Sequence, residues 1–380
     1  VVNAPADLST IETPALILDR ARLAANGAAM LRHVRALGVR LRPHMKTLKC
    51  AAALPLVIDP DHGGIAVATL NEAEYFARFG ITDIQLAVCL PPGKLDRAAR
   101  LARLIPRFSF FIDSLEMARA VADHIRRTGA RHQVWVEVDC GEHRTGASVD
   151  SPELIDIAKA LPPRAFAGVA THAGHAYAAL DAGALSALAD HERRSVVAAA
   201  ERLRGAGLAV EGVSAGSTPT AVHLGDATGL TEIRAGVYMA GDLFQAAIGS
   251  LARDRIAVSV LATVISHDRT SGRIVIDAGG LALSKDRGTA RGPGPDLGYG
   301  LVLDVEGRAT FGTMIVADTH QEHGEIRDVP AAAFAALPLG ARVRILPNHA
   351  CMTGAMYEAY HVVDAGVSVI DQWPRTNGWS

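Results

Sequence analysis

A lysine, a Gly-Ser-Thr turn and two arginines are the residues of this chain whose types combine into one definite chemistry. Lys46 stands in Arg42-Pro43-His44-Met45-Lys46-Thr47, and its amine can condense with a carbonyl. Gly216-Ser217-Thr218 opens a short helical stretch, where backbone N–H groups and hydroxyls can hold a phosphate. Arg144, in Gly141-Glu142-His143-Arg144-Thr145-Gly146, and Arg234, in Arg234-Ala235-Gly236-Val237-Tyr238, add positive charge. Taken singly, each is an ordinary surface residue or turn. As a set they suit a phosphorylated, anionic cofactor that condenses with an amine. His172, in Thr171-His172-Ala173-Gly174-His175-Ala176-Tyr177, can stack a flat imidazole on an aromatic cofactor or simply close a hydrogen bond, and His175 carries the same two readings.

A second pattern is Pro347-Asn348-His349-Ala350-Cys351. In a strand, His349 and Cys351 share a face. An imidazole and a thiolate suit Zn²⁺ well and Mg²⁺ poorly. The pair is a weak metal signal by itself, since a closed site needs four ligands. It fits an open catalytic site that substrate and water complete.

The first set meets only if the fold brings distant segments together. Eight strand–helix units are expected, with strands at Val39–Arg42, Gly64–Leu70, Asp83–Leu90, Arg107–Asp113, His132–Asp139, Ala165–His172, Val210–Ala215 and Glu232–Met239. Most are continuous apolar runs, the pattern of parallel strands covered on both faces. Helical patterns between them include Leu115–Thr128 and Pro152–Leu161, with Ser114 and Ser151 placed as N-caps. The fold class is therefore α/β, a (β/α)₈ barrel over residues 20–252, with a doubly wound open sheet as the structural rival. Lys46, Arg144, His172, Gly216 and Arg234 then fall at the strands' C-terminal ends, the side where barrel chemistry sits. After about Asp254 the helical period stops. Strand-like runs such as Ile256–Ser266, Thr310–Ala317, Arg342–Leu346 and Val367–Asp371 predict an antiparallel β-domain from residues 1–19 and 253–380.

Composition narrows the function classes. With 380 residues, 49% hydrophobic and 21% charged, the chain is long enough for two cores and too apolar for disorder. A net charge of -2 gives no bulk attraction to nucleic acid or anionic membranes. No apolar run is long enough to span a bilayer, and Val1–Thr10 lacks a signal-peptide layout. Cys50, Cys89, Cys140 and Cys351 are too sparse for a disulfide framework, so thiols in the cytoplasm are expected.

The chain resembles the D-threonine aldolase/D-serine dehydratase family of fold-type III pyridoxal-phosphate enzymes, whose barrel is shared with the alanine racemase N-terminal domain. Thr13-Pro14-Ala15-Leu16-Ile17-Leu18-Asp19, Arg42-Pro43-His44-Met45-Lys46-Thr47 and Pro347-Asn348-His349-Ala350-Cys351 carry the likeness in the family's order. Ser284-Lys285-Asp286-Arg287, Asp296-Leu297-Gly298-Tyr299-Gly300 and Gln321-Glu322-His323-Gly324 resemble the D-threo-3-hydroxyaspartate dehydratase branch.

The resemblance implies that Lys46 holds pyridoxal 5'-phosphate covalently. It further implies that Arg144 and Arg234 reach the cofactor ring, that His172 stacks on it, and that Tyr177 lies near the substrate. Gly216, Ser217, Thr218, Gly236 and Tyr238 then form the phosphate cup, and His349 and Cys351 hold a divalent metal (Zn, Mn or Mg). The implied reaction removes water from a D-3-hydroxy amino acid, giving a 2-oxo acid and ammonia. In it the freed Lys46 takes the Cα proton and the metal assists departure of the 3-hydroxyl. Retro-aldol cleavage to glycine and an aldehyde is the alternative, ahead of racemisation or cofactor binding without catalysis. Arg287 or Arg291 could meet a second substrate carboxylate. A homodimer is expected, with no nucleic-acid or membrane partner.

Overall fold

The computed structural model describes residues 7–179 and 181–379; part of the Val1–Thr10 stretch read above lies outside them. The chain divides into two compact units. One comprises residues 28–51, 57–236 and 378–380, the other 1–27, 52–56 and 237–377.

The opening strand, β1 (Ala15–Asp19), belongs to the second unit. The first unit is a barrel of β2 (Arg40–Pro43), β3 (Ile65–Val67), β4 (Asp83–Cys89), β5 (Arg107–Ile112), β6 (Gln133–Asp139), β8 (Phe166–Thr171), β9 (Gly212–Ala215) and β10 (Glu232–Ala235), with the two-residue β7 (Ala147–Ser148) beside β6. The strands run parallel in the order β2-β10-β9-β8-β6-β5-β4-β3. A parallel bridge between His44 and Ala66 brings β2 back to β3 and closes the ring. That closure excludes the open doubly wound sheet, and the eight expected strands are all present.

Local sequence explains the elements between them. Ser114 caps the helix Leu115–Thr128 by accepting the Met117 N–H, and Gly129 ends it in the left-handed region at φ 68. Ser151 caps Pro152–Ala160 by accepting the Glu153 N–H. The inside of the barrel is not purely apolar. Arg42 pairs with Asp83 at 2.7 Å and Glu232 at 2.9 Å, and Glu232 also accepts the Ser214 hydroxyl at 2.7 Å. Such a buried network adds little net stability, but a shifted strand would strand its charges and is penalised. Asp83 and Glu232 open their strands, so Arg42 serves the barrel's N-terminal end, although its motif runs on to Lys46 at the mouth.

The second unit holds β11 (Val258–Asp268), β12 (Arg273–Ile276), β13 (Leu301–Asp304), β14 (Val316–Thr319), β15 (Gly324–Ile326), β16 (Arg342–Leu346), β17 (Ala359–Val363) and β18 (Val369–Pro374). Its sheet runs β14-β15-β12-β11-β1-β17-β18, with β16 pairing β11 and β13. The expectation of an antiparallel domain needs one correction. β1 pairs antiparallel with β11 but parallel with β17, so the sheet is mixed. Strand β14 also begins later than the expected Thr310, and β15 is an addition. Leu243, Ile256, Leu297, Leu301, Leu303 and Leu346 form one of this unit's apolar cores.

Candidate active site

Lys46 lies on a turn fastened to both neighbouring strands. The His44 N–H donates to the Ala235 carbonyl at 2.7 Å, and the Met45 N–H donates to the Ala66 carbonyl at 2.8 Å. The Lys49 N–H then closes the turn on Met45 at 2.7 Å. The side chain of Lys46 stays exposed on this fixed base.

Three cations converge around His172. Burial first, and then the charges of Lys46, Arg144 and Arg234, push its imidazole down to about 3, against the opposing bond to Gly216. His172 is therefore neutral at working pH. Its Nδ1 lies 3.0 Å from the Gly216 carbonyl oxygen, which can only accept, so the proton sits on Nδ1 and Nε2 keeps its lone pair. His44 is likewise held well below its usual range by burial, Lys46, Arg234 and His172. Arg234 is 3% exposed, bonds the Ser214 hydroxyl and the Thr171 carbonyl, and lies 5.2 Å from the Phe111 ring centroid. Arg144 is exposed, 3.4 Å from Glu142, whose other oxygen accepts the Gly174 N–H at 3.2 Å.

The Gly-Ser-Thr turn is built as a cup. Ser217 caps the helix Thr218–His223 in a capping box with Thr220, which leaves the turn's backbone fixed in advance. Gly216 has φ +126, and a Cβ there would lie 2.4 Å from the Arg234 carbonyl oxygen. At Gly236 a Cβ would lie 2.9 Å from the His44 carbonyl oxygen. Both positions therefore admit only glycine, and a capped backbone turn with its N–H groups fixed, on the same barrel as an exposed amine and buried cations, fits pyridoxal phosphate.

Tyr177 is half-buried in the turn Gly174–Ala178, with His175 beside it. Tyr238 is 2% exposed and belongs to the second unit, where burial raises its phenol above the ordinary range.

The second unit brings His349 and Cys351 together, though not through a strand. His349 is extended at φ -139, and Cys351 lies in the short helix Ala350–Thr353. The side chains meet across this bend, where they hydrogen-bond. Burial would lower the His349 imidazole, yet its bonds to Asp286 and Cys351 prevail and raise it to about 11. Asp286 lies 2.6 Å from His349 Nδ1, the arrangement by which a carboxylate fixes a metal-binding imidazole and leaves its other nitrogen for the ion. Asp242 accepts the Ala350 N–H at 3.0 Å and the Gln245 N–H at 2.8 Å, bracing the bend from below. Among the described residues no group of three or more His, Cys, Asp or Glu side chains could hold a metal by itself. The donor set therefore fits an open two-ligand site and not a closed one. Arg287 is engaged by Asp296 and stacks 5.3 Å from the Tyr299 ring centroid, a structural use; Arg291 is exposed near Asp286.

Sequence reading missed Glu192 and Asp242, and noted Asp286 only within the motif Ser284-Lys285-Asp286-Arg287, without a role. Asp242 had a visible signal as the N-cap of Asp242-Leu243-Phe244-Gln245. Glu192 looks like any charge on a helix of mixed charges.

Comparisons with known proteins agree with this fold. The family model "Alanine racemase, N-terminal domain" matches residues 18–243, and "Putative serine dehydratase domain" matches 257–363. D-threo-3-hydroxyaspartate dehydratase of Delftia sp. is 44% identical over 98% of this chain and 99% of its own. D-threonine aldolase of Arthrobacter sp. is 31% identical over 96% of this chain and 92% of its own. A solved cysteine-to-alanine mutant of D-threo-3-hydroxyaspartate dehydratase, in a metal-free form, superposes with a TM-score of 0.93 at 42% identity, covering 98% of this chain and 100% of that one. The chain belongs to the D-threonine aldolase/D-serine dehydratase family of fold-type III pyridoxal-phosphate enzymes, built on the alanine racemase N-terminal domain.

Proposed function

We propose that this lyase eliminates water from D-3-hydroxy amino acids, with D-threo-3-hydroxyaspartate ahead of D-serine and D-threonine, to give a 2-oxo acid and ammonia. Identity to the Delftia dehydratase over nearly the whole of both chains supports the choice of reaction. The observation that carries it is the His349–Cys351 pair oriented by Asp286, because a racemase has no use for two such donors.

Bound pyridoxal phosphate supplies an electron sink that acidifies the substrate's Cα–H bond. Lys46 would hold the cofactor through its amine, and the same amine is the group that would take the Cα proton. The proton-bearing Nδ1 of His172 stays committed to Gly216, so the neutral ring would pack against the cofactor without contributing charge. Arg144 and Arg234 would face the ring, Tyr177 the substrate, and Gly216, Ser217, Thr218, Gly236 and Tyr238 would receive the phosphate. His349 and Cys351 would hold a divalent ion, Zn²⁺, Mn²⁺ or Mg²⁺, whose Lewis acidity suits a poor leaving group such as the 3-hydroxyl. Imidazole and thiol favour the softer ions in that set. On the same reading the enzyme works in the cytoplasm as a homodimer. None of its four cysteines is joined in a disulfide, and no helix among the described residues is long and apolar enough to cross a membrane.

The second reading is retro-aldol cleavage, supported by the Arthrobacter aldolase. Incubation with both D-3-hydroxyaspartate diastereomers, D-serine and D-threonine separates the two. Ammonia with a 2-oxo acid supports the dehydratase, whereas glycine with an aldehyde overturns it in favour of the aldolase.

A further inference from the structure

The helix Ala182–Gly205 carries one buried carboxylate, Glu192, that the reaction above does not use. Glu192 is 2% exposed. Its Oε1 accepts the Ala173 N–H at 2.8 Å and the Gly216 N–H at 3.1 Å. The carboxylate also receives the Thr220 hydroxyl.

Each donor belongs to a segment that carries a cofactor residue. Ala173 follows His172, Gly216 opens the cup, and Thr220 completes the capping box of Ser217. Gly216 is thus held at both ends, through its N–H by Glu192 and through its carbonyl by His172. The Thr220 hydroxyl has both the carboxylate and the Ser217 carbonyl oxygen, 3.5 Å away, as acceptors, and its oxygen accepts the Ser217 N–H at 2.9 Å. Ser217 Oγ in turn accepts the Thr220 N–H at 3.3 Å. Without an acceptor at position 192, the Ala173 and Gly216 N–H groups would be buried unsatisfied, and the turn would have to open to satisfy them.

We infer that Glu192 is a positioning residue for the cofactor's phosphate. It locks the His172 segment and the Gly216-Ser217-Thr218 cup into one arrangement, and so favours the phosphorylated over the unphosphorylated form of the cofactor. This inference rests on the cofactor reading above.

The test titrates the full-length chain, stripped of cofactor, with pyridoxal 5'-phosphate and with pyridoxal, followed by absorbance. In Glu192→Gln the amide oxygen can keep both N–H bonds, but its NH₂ opposes the Thr220 proton. Its affinity for pyridoxal phosphate should fall about threefold to tenfold. Glu192→Ala should lose more than about tenfold, and pyridoxal binding should move less than about twofold in either variant. Equal losses for both ligands would mean a merely structural carboxylate and overturn the inference, as would unchanged phosphate-form affinity in the Gln variant. If Ala does not fold, the Gln variant decides. Failure of the wild-type chain to bind either ligand would sink the cofactor reading itself, and this inference with it.

Discussion

A chain of three side chains, from the helices Leu95–Leu104 and Leu115–Thr128 and the residue before β6, makes stability depend on pH in a calculable way. His124 Nε2 lies 2.9 Å from Asp96, and His132 Nε2 lies 2.9 Å from His124 Nδ1. A carboxylate only accepts, so a neutral His124 donates through Nε2 and accepts His132 on Nδ1. His132 Nδ1 is then left buried with no partner among the described residues. Protonating it would bury a charge and an unmet N–H together, so burial first, and then His124, lowers its pKa from 6.5 to about 4. Below pH 6.5 the unfolded chain binds this proton more readily than the folded one. The stabilisation is therefore complete above pH 6.5 and is lost as pH falls toward 4. A shift of roughly 2.5 units at about 1.4 kcal/mol each is worth about 3 kcal/mol. Urea unfolding of the wild type and His132→Gln at pH 7.5, 6 and 4.5 measures it. Gln still donates to His124 but cannot titrate, so its loss of stability with acid should be smaller by up to about 3 kcal/mol. Parallel pH profiles for the two proteins would refute the reasoning.

Three further outcomes follow from the site. Gly216→Ala places a Cβ 2.4 Å from a carbonyl at φ +126, and should weaken pyridoxal phosphate binding about tenfold or more in an absorbance titration. Asp286→Ala removes the orienting carboxylate from His349. Because that carboxylate is 40% exposed, the loss of metal affinity should lie near the lower end of the usual range, about tenfold, by competition with a chromophoric chelator. Raised to about 11, His349 is protonated in the metal-free protein at neutral pH. Metal uptake should then release a proton and strengthen as pH rises from 6 to 8, which calorimetry in buffers of different ionisation enthalpy would detect.

The barrel was readable because its strands are short apolar runs at a regular spacing, and because Ser114 and Ser151 mark helix starts that follow local rules. Lys46, His172 and Gly216 were readable because barrel chemistry gathers at strand ends. The His349-x-Cys351 pair was found for a reason that proved wrong. The two side chains meet across a bend that Asp242 holds, not along a strand. The parallel pairing of β1 with β17 joins segments some 340 residues apart, which no local pattern encodes. Glu192 escaped notice because it acts on backbone N–H groups, which have no residue type of their own.

Borohydride treatment of the purified chain, followed by peptide mapping, tests the central claim most directly. The account predicts a yellow protein whose colour is lost on reduction, with a pyridoxyl group found on the peptide containing Lys46. A colourless protein, or a label on Lys49 or Lys285 with Lys46 unmodified, would contradict it.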